Sequence, residues 1–381
     1  MTVKEQPIES SGKLIHLQHV EDLIQDGRFD QAIFVLQYVK NHTETATVDS
    51  NITQKLDGSP SCVIGYHPVS GRYFVASKSA FNKDPKINYS HDDIQCNHGH
   101  APGLVEKLKS VFDHAHKILP TKGIFQGDVL HSHTDLIYSE NGQVSFKPNT
   151  ITYTASGQDA DAVKLSKLGI ALHTEYTGEN LAEMHACPIT DTSVFKKHPD
   201  VYIAVVAYVS NGEKMPVDST NKFNEYLKVA KEFYSKIDNA HISQYTSQIN
   251  TYINQTVRND TVQSHNGLLD HMRANKQKAI EGVKTPAAKE RKSMHYDSLI
   301  TASMTVHKTS LECFFKAHHS VQNSKNILIS HMDNSVTGLQ SSIDGKKVGP
   351  EGYVCTHRGG MVKLVNRTDF SRANFINFKR K

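Results

Sequence analysis

Cysteine pairs and long apolar runs are both missing from this sequence. Its five cysteines are odd in number, lie far apart and show no CxxC spacing. This argues against a disulfide framework or a zinc knuckle and indicates a reducing compartment. No apolar run approaches the length of a membrane span, so we expect a cytoplasmic protein (in the host cytoplasm if it is viral) without a membrane partner.

A strong excess of charge of one sign is missing as well. The 43 Lys and Arg residues against 39 Asp and Glu residues give a net charge of +4. This mild excess permits a polyanionic partner without requiring one. The length of 381 residues, with 38% hydrophobic residues, is enough for a sizeable core and for two or three domain-sized units.

The pattern of apolar residues divides the chain into three parts. It predicts mainly strands with a few helices over 1–212, helices over 213–342, and strands again over 343–381. Hairpin turns are predicted at Asn141-Gly142 and Asp344-Gly345, and a break between two short helices at Asp26-Gly27. The basic stretch 281–293 is predicted to interrupt the helices. The fold class is therefore α+β, a sheet domain with an inserted helical domain.

The stretch "KLDGS" contains the first candidate for chemistry. The Lys55 amine can attack a phosphorus atom if it is uncharged, which requires a pKa depressed by desolvation or nearby cations. Asp57 can orient the amine or help to hold a metal, and Gly58 lets the backbone approach a phosphate. The alternative is an ordinary solvated turn, because Asp-Gly is common in turns.

Later segments supply the other groups that nucleotidyl transfer requires. "GIFQGDVLHS" carries Phe125 and Asp128, while "PEGYVCTHRGGMVKLV" carries Glu351 and Lys363. Asp128 and Glu351 can hold Mg²⁺ on the phosphates of a nucleotide, and Lys363 can stabilise charge on the α-phosphate. The ring of Phe125 can stack on the base, although a place in the core is the simpler interpretation.

This order of motifs resembles the covalent nucleotidyltransferase superfamily of ATP-dependent DNA ligases, RNA ligases and mRNA capping enzymes. "KLDGS" and "EGYV" are most similar to phage-type RNA ligases, and the similarity covers 51 to about 180 and 349 to 370. It implies the ligase adenylation fold of antiparallel sheets, with Lys55 as the residue that carries the nucleotide. It also implies that Asp57, Gly58, Asp128, Glu351 and Lys363 lie at the nucleotide, with Asp128 and Glu351 as metal ligands.

Two more lysines are candidates for nucleotide contacts. Lys78, in "GRYFVASKSAF", resembles the basic residue that follows the first motif in ligases. Lys147, in "FKPNTITY", is expected in a turn that borders the nucleotide, together with Asn149. His173 and Glu175 could line the pocket, although a place in a strand is the simpler interpretation.

The chain departs from the superfamily pattern at three places. Asp128 stands where the family usually has Glu. The last motif of the family normally has two alternating lysines, whereas here Met361 and Val365 occupy the alternate positions on either side of Lys363. Little sequence follows Lys363, so we expect no oligonucleotide-binding barrel, which many RNA ligases also lack.

The sequence therefore predicts an ATP- and Mg²⁺-dependent ligase that joins 5′-phosphate and 3′-hydroxyl ends, of RNA more than of DNA. A capping-type guanylyltransferase that uses GTP is one alternative. A degenerate ligase-like domain that binds a nucleotide or nucleic acid without catalysis is another.

Overall fold

The computed structural model describes residues 17–46, 48–189, 191–204, 206–335, 338–357 and 360–367. These residues form sixteen strands and ten α-helices. The strands are β1 (Gln18–His19), β2 (Val48–Lys55), β3 (Ser61–Tyr66), β4 (Tyr73–Ala76), β5 (Ile124–Ser132), β6 (Ile137–Tyr138), β7 (Val144–Phe146), β8 (Thr152–Ala155), β9 (Leu168–Thr177), β10 (His185–Pro188), β11 (Val201–Ile203), β12 (Ala207–Val209), β13 (Gln340–Ile343), β14 (Lys346–Val348), β15 (Gly352–His357) and β16 (Gly360–Val365). The helices are α1 (Phe29–Thr43), α2 (His91–His98), α3 (Pro102–His114), α4 (Gly157–Leu165), α5 (Val217–Tyr234), α6 (Asn239–Ser243), α7 (Thr246–Asn259), α8 (His265–Glu281), α9 (Pro286–Met304) and α10 (Lys308–Met332).

The strands form three mainly antiparallel sheets, which makes the fold α+β. The first has the order β1-β16-β15-β2-β12, and the second has the order β10-β9-β5-β3-β4 with β11 beside β9. The third has the order β14-β13-β8-β7-β6. In the first sheet β2, which ends at Lys55, pairs with β15 near the other end of the chain. This pairing joins the first and last sequence motifs.

Three turn predictions are confirmed. Gly142 has a φ of +83° between β6 and β7. Asp344 and Gly345 have φ values of +49° and +78° between β13 and β14, and two positive φ values are what a tight two-residue hairpin turn requires. Gly27, with a φ of +74°, separates α1 from the preceding element. That element is a short 3₁₀ helix, Val20–Ile24, rather than an α-helix.

The predicted break over 281–293 is wrong in its second half, because α9 already begins at Pro286. Proline suits the first turn of a helix, because the N–H groups of that turn have no acceptor within the helix and the N–H that proline lacks is not needed there. The Oγ1 of Thr285 also accepts a hydrogen bond from the Ala288 N–H at 3.3 Å, which caps the helix. Only 282–285 therefore separates α8 from α9.

The helical region 217–332 shares its core with the first sheet. Phe314 of α10 and Phe223 of α5 belong to the same buried cluster as Leu36 of α1, Ile52 of β2 and Tyr353 of β15. The reason is that β2, β15 and β16 turn one apolar face towards the helices. Among the described residues, no helix is both long and apolar enough to cross a bilayer.

Candidate active site

The first sheet brings Lys55 against Glu351. Lys55 is the last residue of β2 and pairs in register with Gly352, so Glu351 comes directly before that partner. The Lys55 Nζ donates to Glu351 Oε2 in an ion pair. Glu351 is buried, whereas 28% of the Lys55 side chain is exposed. Lys55 is thus held by a buried acid, and its side chain remains partly exposed.

Gly352 shows why a glycine follows this acid. Its φ is +154°, and a Cβ there would lie 2.3 Å from the carbonyl oxygen of Leu364. Any side chain would therefore push β15 away from β16. The Glu-Gly pair sets how closely these strands approach, and with it the position of Glu351.

Asp57 joins the Lys55 segment to the loop between β7 and β8. Its Oδ1 accepts a hydrogen bond from Asn149 Nδ2 at 2.9 Å, and its Oδ2 accepts from the N–H groups of Thr150 at 2.9 Å and Ile151 at 3.3 Å. The Asp57 N–H donates to the Tyr153 hydroxyl at 2.6 Å. Both carboxylate oxygens are therefore engaged in holding the loop, which gives "FKPNTITY" a structural role.

Gly58 allows the Lys55 segment to approach the second sheet. A Cβ at this position would lie 2.6 Å from the Cβ of Asp128. The next residue, Ser59, donates its N–H to the Val129 carbonyl at 2.8 Å. The close approach that requires glycine is to β5, which differs from the phosphate approach expected from the sequence.

Asp128 is the acid that the second sheet contributes. It lies on β5 opposite Ser61, and 23% of its side chain is exposed. His173 Nε2 on the neighbouring strand β9 is 3.6 Å from Asp128 Oδ2. Burial opposes the charge on Asp128, but His173 and Lys55 outweigh it, so the pKa of Asp128 is lowered. Asp128 is thus an ionised acid near Lys55.

Lys363 is the second cation. It lies on β16 opposite Val354, which in turn lies opposite Thr53, two residues before Lys55 on β2. Its neighbours Val362 and Leu364 enter the helical core, so alternation points Lys363 away from the helices. Burial, followed by the charges of Lys55 and Arg367, lowers the pKa of Lys363 to about 8.

The pKa of Lys55 corrects one expectation from the sequence. Burial disfavours its charge, but Glu351, then Asp128 and Asp57, outweigh burial and raise the pKa. The expected depression of the Lys55 pKa is therefore wrong for this arrangement, because its acidic neighbours stabilise the ammonium form. Burial raises the pKa of Glu351 despite the attraction of Lys55.

Two of the acids near Lys55 have the donor chemistry of a magnesium site. Among the described residues, no group of three or more His, Cys, Asp or Glu side chains is arranged to hold a metal ion. Asp57 is committed to its N–H donors, which leaves Asp128 and Glu351. Mg²⁺ often takes one or two protein carboxylates and completes its shell with water and substrate phosphates. The donor chemistry fits such an ion, and its binding stays a prediction.

Of the three other predicted contact residues, Phe125 is not brought into this group, while Lys78 and Lys147 are exposed and their contacts with a nucleotide stay predictions. Phe125 lies on the opposite face of β5 from Asp128, where its ring packs against Phe195 with 5.0 Å between centroids. It is a core residue there and offers no surface beside Lys55. Lys78 is exposed in the 3₁₀ turn Lys78–Phe81 after β4, and Lys147 is exposed after β7.

A buried ionic cluster that the sequence pattern did not predict lies next to Lys363. Lys325 of α10 donates to Glu21 Oε1 at 2.7 Å, and both side chains are fully buried. Arg367 bonds Asp22 and approaches Glu21 at 3.5 Å, while His318 Nε2 is 3.2 Å from Asp22 Oδ1. The partners are 296 to 345 positions apart in the chain for the hydrogen-bonded pairs, so no local pattern predicted their pairing. The Tyr153 hydroxyl was missed for the same reason.

Comparison with known proteins assigns a family and no activity. Residues 15–379 match a family of unknown function, DUF6267. The chain belongs to this family. No curated protein and no solved structure matches it.

Proposed function

We propose that this DUF6267 protein is an ATP-dependent polynucleotide ligase of the RNA-ligase type, which acts through a lysyl-AMP at Lys55. The observation that carries the proposal is that Lys55, whose side chain is partly exposed, pairs with Glu351 and interacts electrostatically with Asp128 and Lys363. Asp57 fixes the segment that holds the amine. These groups come from distant parts of the chain, and together they supply a nucleophile, acids and a second cation.

In the first step the Lys55 Nζ attacks the α-phosphorus of ATP. An N–P bond forms, the bond to the oxygen of the β-phosphate breaks, and pyrophosphate leaves. Lys55 must first lose a proton to solvent water. Glu351 favours the protonated amine, so the proton is released when this carboxylate takes another partner. Lys363 favours the loss because neighbouring cations repel each other, and it would stabilise charge on the α-phosphate. Mg²⁺ held by Asp128 and Glu351 would supply charge neutralisation at the phosphates.

The later steps complete the joining reaction. An oxygen of a 5′-phosphate end attacks the lysyl-AMP phosphorus, and the N–P bond breaks as AMP moves to that end. A 3′-hydroxyl then attacks the 5′-phosphorus, displaces AMP and forms the phosphodiester bond.

A nucleotide-binding protein without catalysis is the second candidate. Two observations favour it: the raised pKa of Lys55 and the single lysine on β16. This candidate requires ATP to bind beside Lys55 without transfer of AMP.

A labelling experiment separates the two candidates. The protein is incubated with Mg²⁺ and ATP or GTP labelled at the α-phosphate, and protein-bound label is measured after denaturation. We expect label from ATP that is lost in Lys55→Ala and retained in a matched variant of an exposed lysine, Lys231→Ala. Mapping of the labelled peptide should identify Lys55.

The other outcomes decide against the ligase. Label from GTP alone would indicate a capping-type guanylyltransferase. The absence of label from both nucleotides would leave the binding protein. If label from ATP is present, assays that compare the joining of single-stranded and nicked-duplex RNA and DNA would identify the class of nucleic acid that is the substrate.

A further inference from the structure

We propose that the tip of the α8–α9 hairpin docks the phosphate backbone of a single-stranded polynucleotide. The tip comprises residues 276–292: the last turn of α8, the connection 282–285 and the first turns of α9. The choice of partner rests on the proposed ligase function, which requires a polynucleotide substrate. The position of the surface rests on charge and exposure.

The tip concentrates the net charge of the protein. It contains six cations and two carboxylates, a net charge of +4, which equals the formal net charge of all 381 residues. The rest of the chain is therefore balanced. The cations are Lys276, Lys278, Lys284, Lys289, Arg291 and Lys292, and the carboxylates are Glu281 and Glu290.

Most of these cations are not used inside the protein. Lys276 pairs with Asp297 at 2.6 Å. Within the described part of the chain, the other five cations have no carboxylate within ion-pair distance, and all five are exposed. Glu281 accepts a hydrogen bond from Gln277 at 2.6 Å. Internal ion pairing therefore does not account for this concentration of charge.

The first half of α9 is also mostly exposed and contains no buried residue. The residues of α9 that reach the core lie in its second half, at Leu299, Ile300 and Ser303. The helix dipoles add little to this potential, because the partial positive charge at the start of α9 lies beside the partial negative charge at the end of α8. The positive potential of the tip therefore comes from its side chains.

The same features define the kind of binding. The tip contains no aromatic residue, so it offers no platform on which bases could stack. Contacts to phosphate alone are independent of sequence and weaken with salt, by about 0.7 in log affinity per tenfold salt for each single-strand contact.

The test measures binding of the full-length protein to a fluorescent, 5′-phosphorylated single-stranded RNA at several salt concentrations. One variant reverses three tip charges, Lys284→Glu, Arg291→Glu and Lys292→Glu. The matched control reverses three exposed charges on α5, Lys222→Glu, Lys228→Glu and Lys231→Glu. We expect the tip variant to lose affinity by roughly tenfold or more and its salt slope to fall by about 2, with little change in the control. Circular dichroism checks that both variants fold.

Two outcomes would overturn the docking surface: equal losses in both variants, which indicate a response to net charge, or no loss in the tip variant. Labelling of Lys55 by ATP is measured in parallel and should persist in the tip variant. Tip-dependent RNA binding without labelling would overturn the ligase proposal and keep the docking surface. Labelling of Lys55 together with RNA binding that does not depend on the tip would keep the ligase proposal and overturn the docking surface.

Discussion

At the scale of single residues, Asp57 can act as a structural link or as a metal ligand, and the two roles predict different mutants. Asp57→Ala leaves the N–H groups of Thr150 and Ile151 without acceptors, so we expect a loss of about 2–4 kcal/mol in the free energy of unfolding. Asp57→Asn should cost only about 1 kcal/mol, because an amide oxygen can keep those bonds while Asn149 rotates its amide.

Urea unfolding of both variants checks this difference, with the exposed Asp84→Asn as the control. If Asp57 were a metal ligand, the two variants should differ from wild type in labelling and not in stability. In that case the alanine and asparagine variants would lose labelling of Lys55 to the same degree and both would remain as stable as the wild type.

His131 is the residue whose burial should make stability depend on pH. It is fully buried, and within the described residues neither ring nitrogen has a hydrogen-bond partner. Burial is the main cause that lowers its pKa to about 4. The unfolded state therefore binds the proton first, and the stability present above about pH 6.5 is lost as pH falls towards 4, by about 3 kcal/mol in total.

Substitution of His131 removes this titration. We expect His131→Leu to flatten the fall in unfolding free energy between pH 7 and about 4.5, as measured by urea unfolding at each pH. The exposed His133→Leu should keep the wild-type slope. Parallel curves for wild type and His131→Leu would show that other groups cause the acid sensitivity.

At the scale of elements, the closeness of β15 and β16 depends on Gly352. In Gly352→Ala the new Cβ meets the Leu364 carbonyl at a φ of +154°, so we expect a loss of about 3 kcal/mol or more in unfolding free energy. Gly103→Ala in α3 has no atom within 4 Å of its new Cβ and should gain up to about 1 kcal/mol. Thermal unfolding compares the two, and a Gly352→Ala protein as stable as Gly103→Ala would contradict the assigned crowding.

The elements that the sequence predicted are those whose partners are close in the chain. The turns at Gly142 and at Asp344-Gly345 follow from local φ preferences, and so does the α1 boundary at Gly27. The pairing of β2 with β15 could not be derived from local chemistry, because many strands present similar apolar faces. Lys55 and Glu351 were selected through the resemblance of their motifs, whereas the donors to Asp57 lie about 90 positions away and left no motif.

At the scale of the whole molecule, the Lys325–Glu21 pair ties the helical region to the N-terminal turn and the first sheet. Both side chains are fully buried, so each charge depends on its partners for compensation. We expect Lys325→Met to lose about 3 kcal/mol of unfolding free energy, because the nearest cation left to Glu21 among the described residues is then Arg367, at 3.5 Å. A separate helical domain would leave the sheet unaffected. The shared core instead predicts that helix and sheet signals are lost together.

A double-mutant cycle separates charge from packing in this pair. Adding Glu21→Leu to Lys325→Met removes the uncompensated carboxylate, so the double variant should be more stable than Lys325→Met alone. Urea unfolding followed by far-ultraviolet circular dichroism and by tyrosine fluorescence gives both the free energies and the coincidence of transitions. Additive losses would mean that the two side chains act through packing only, and separate transitions would mean that the helices and the first sheet fold independently.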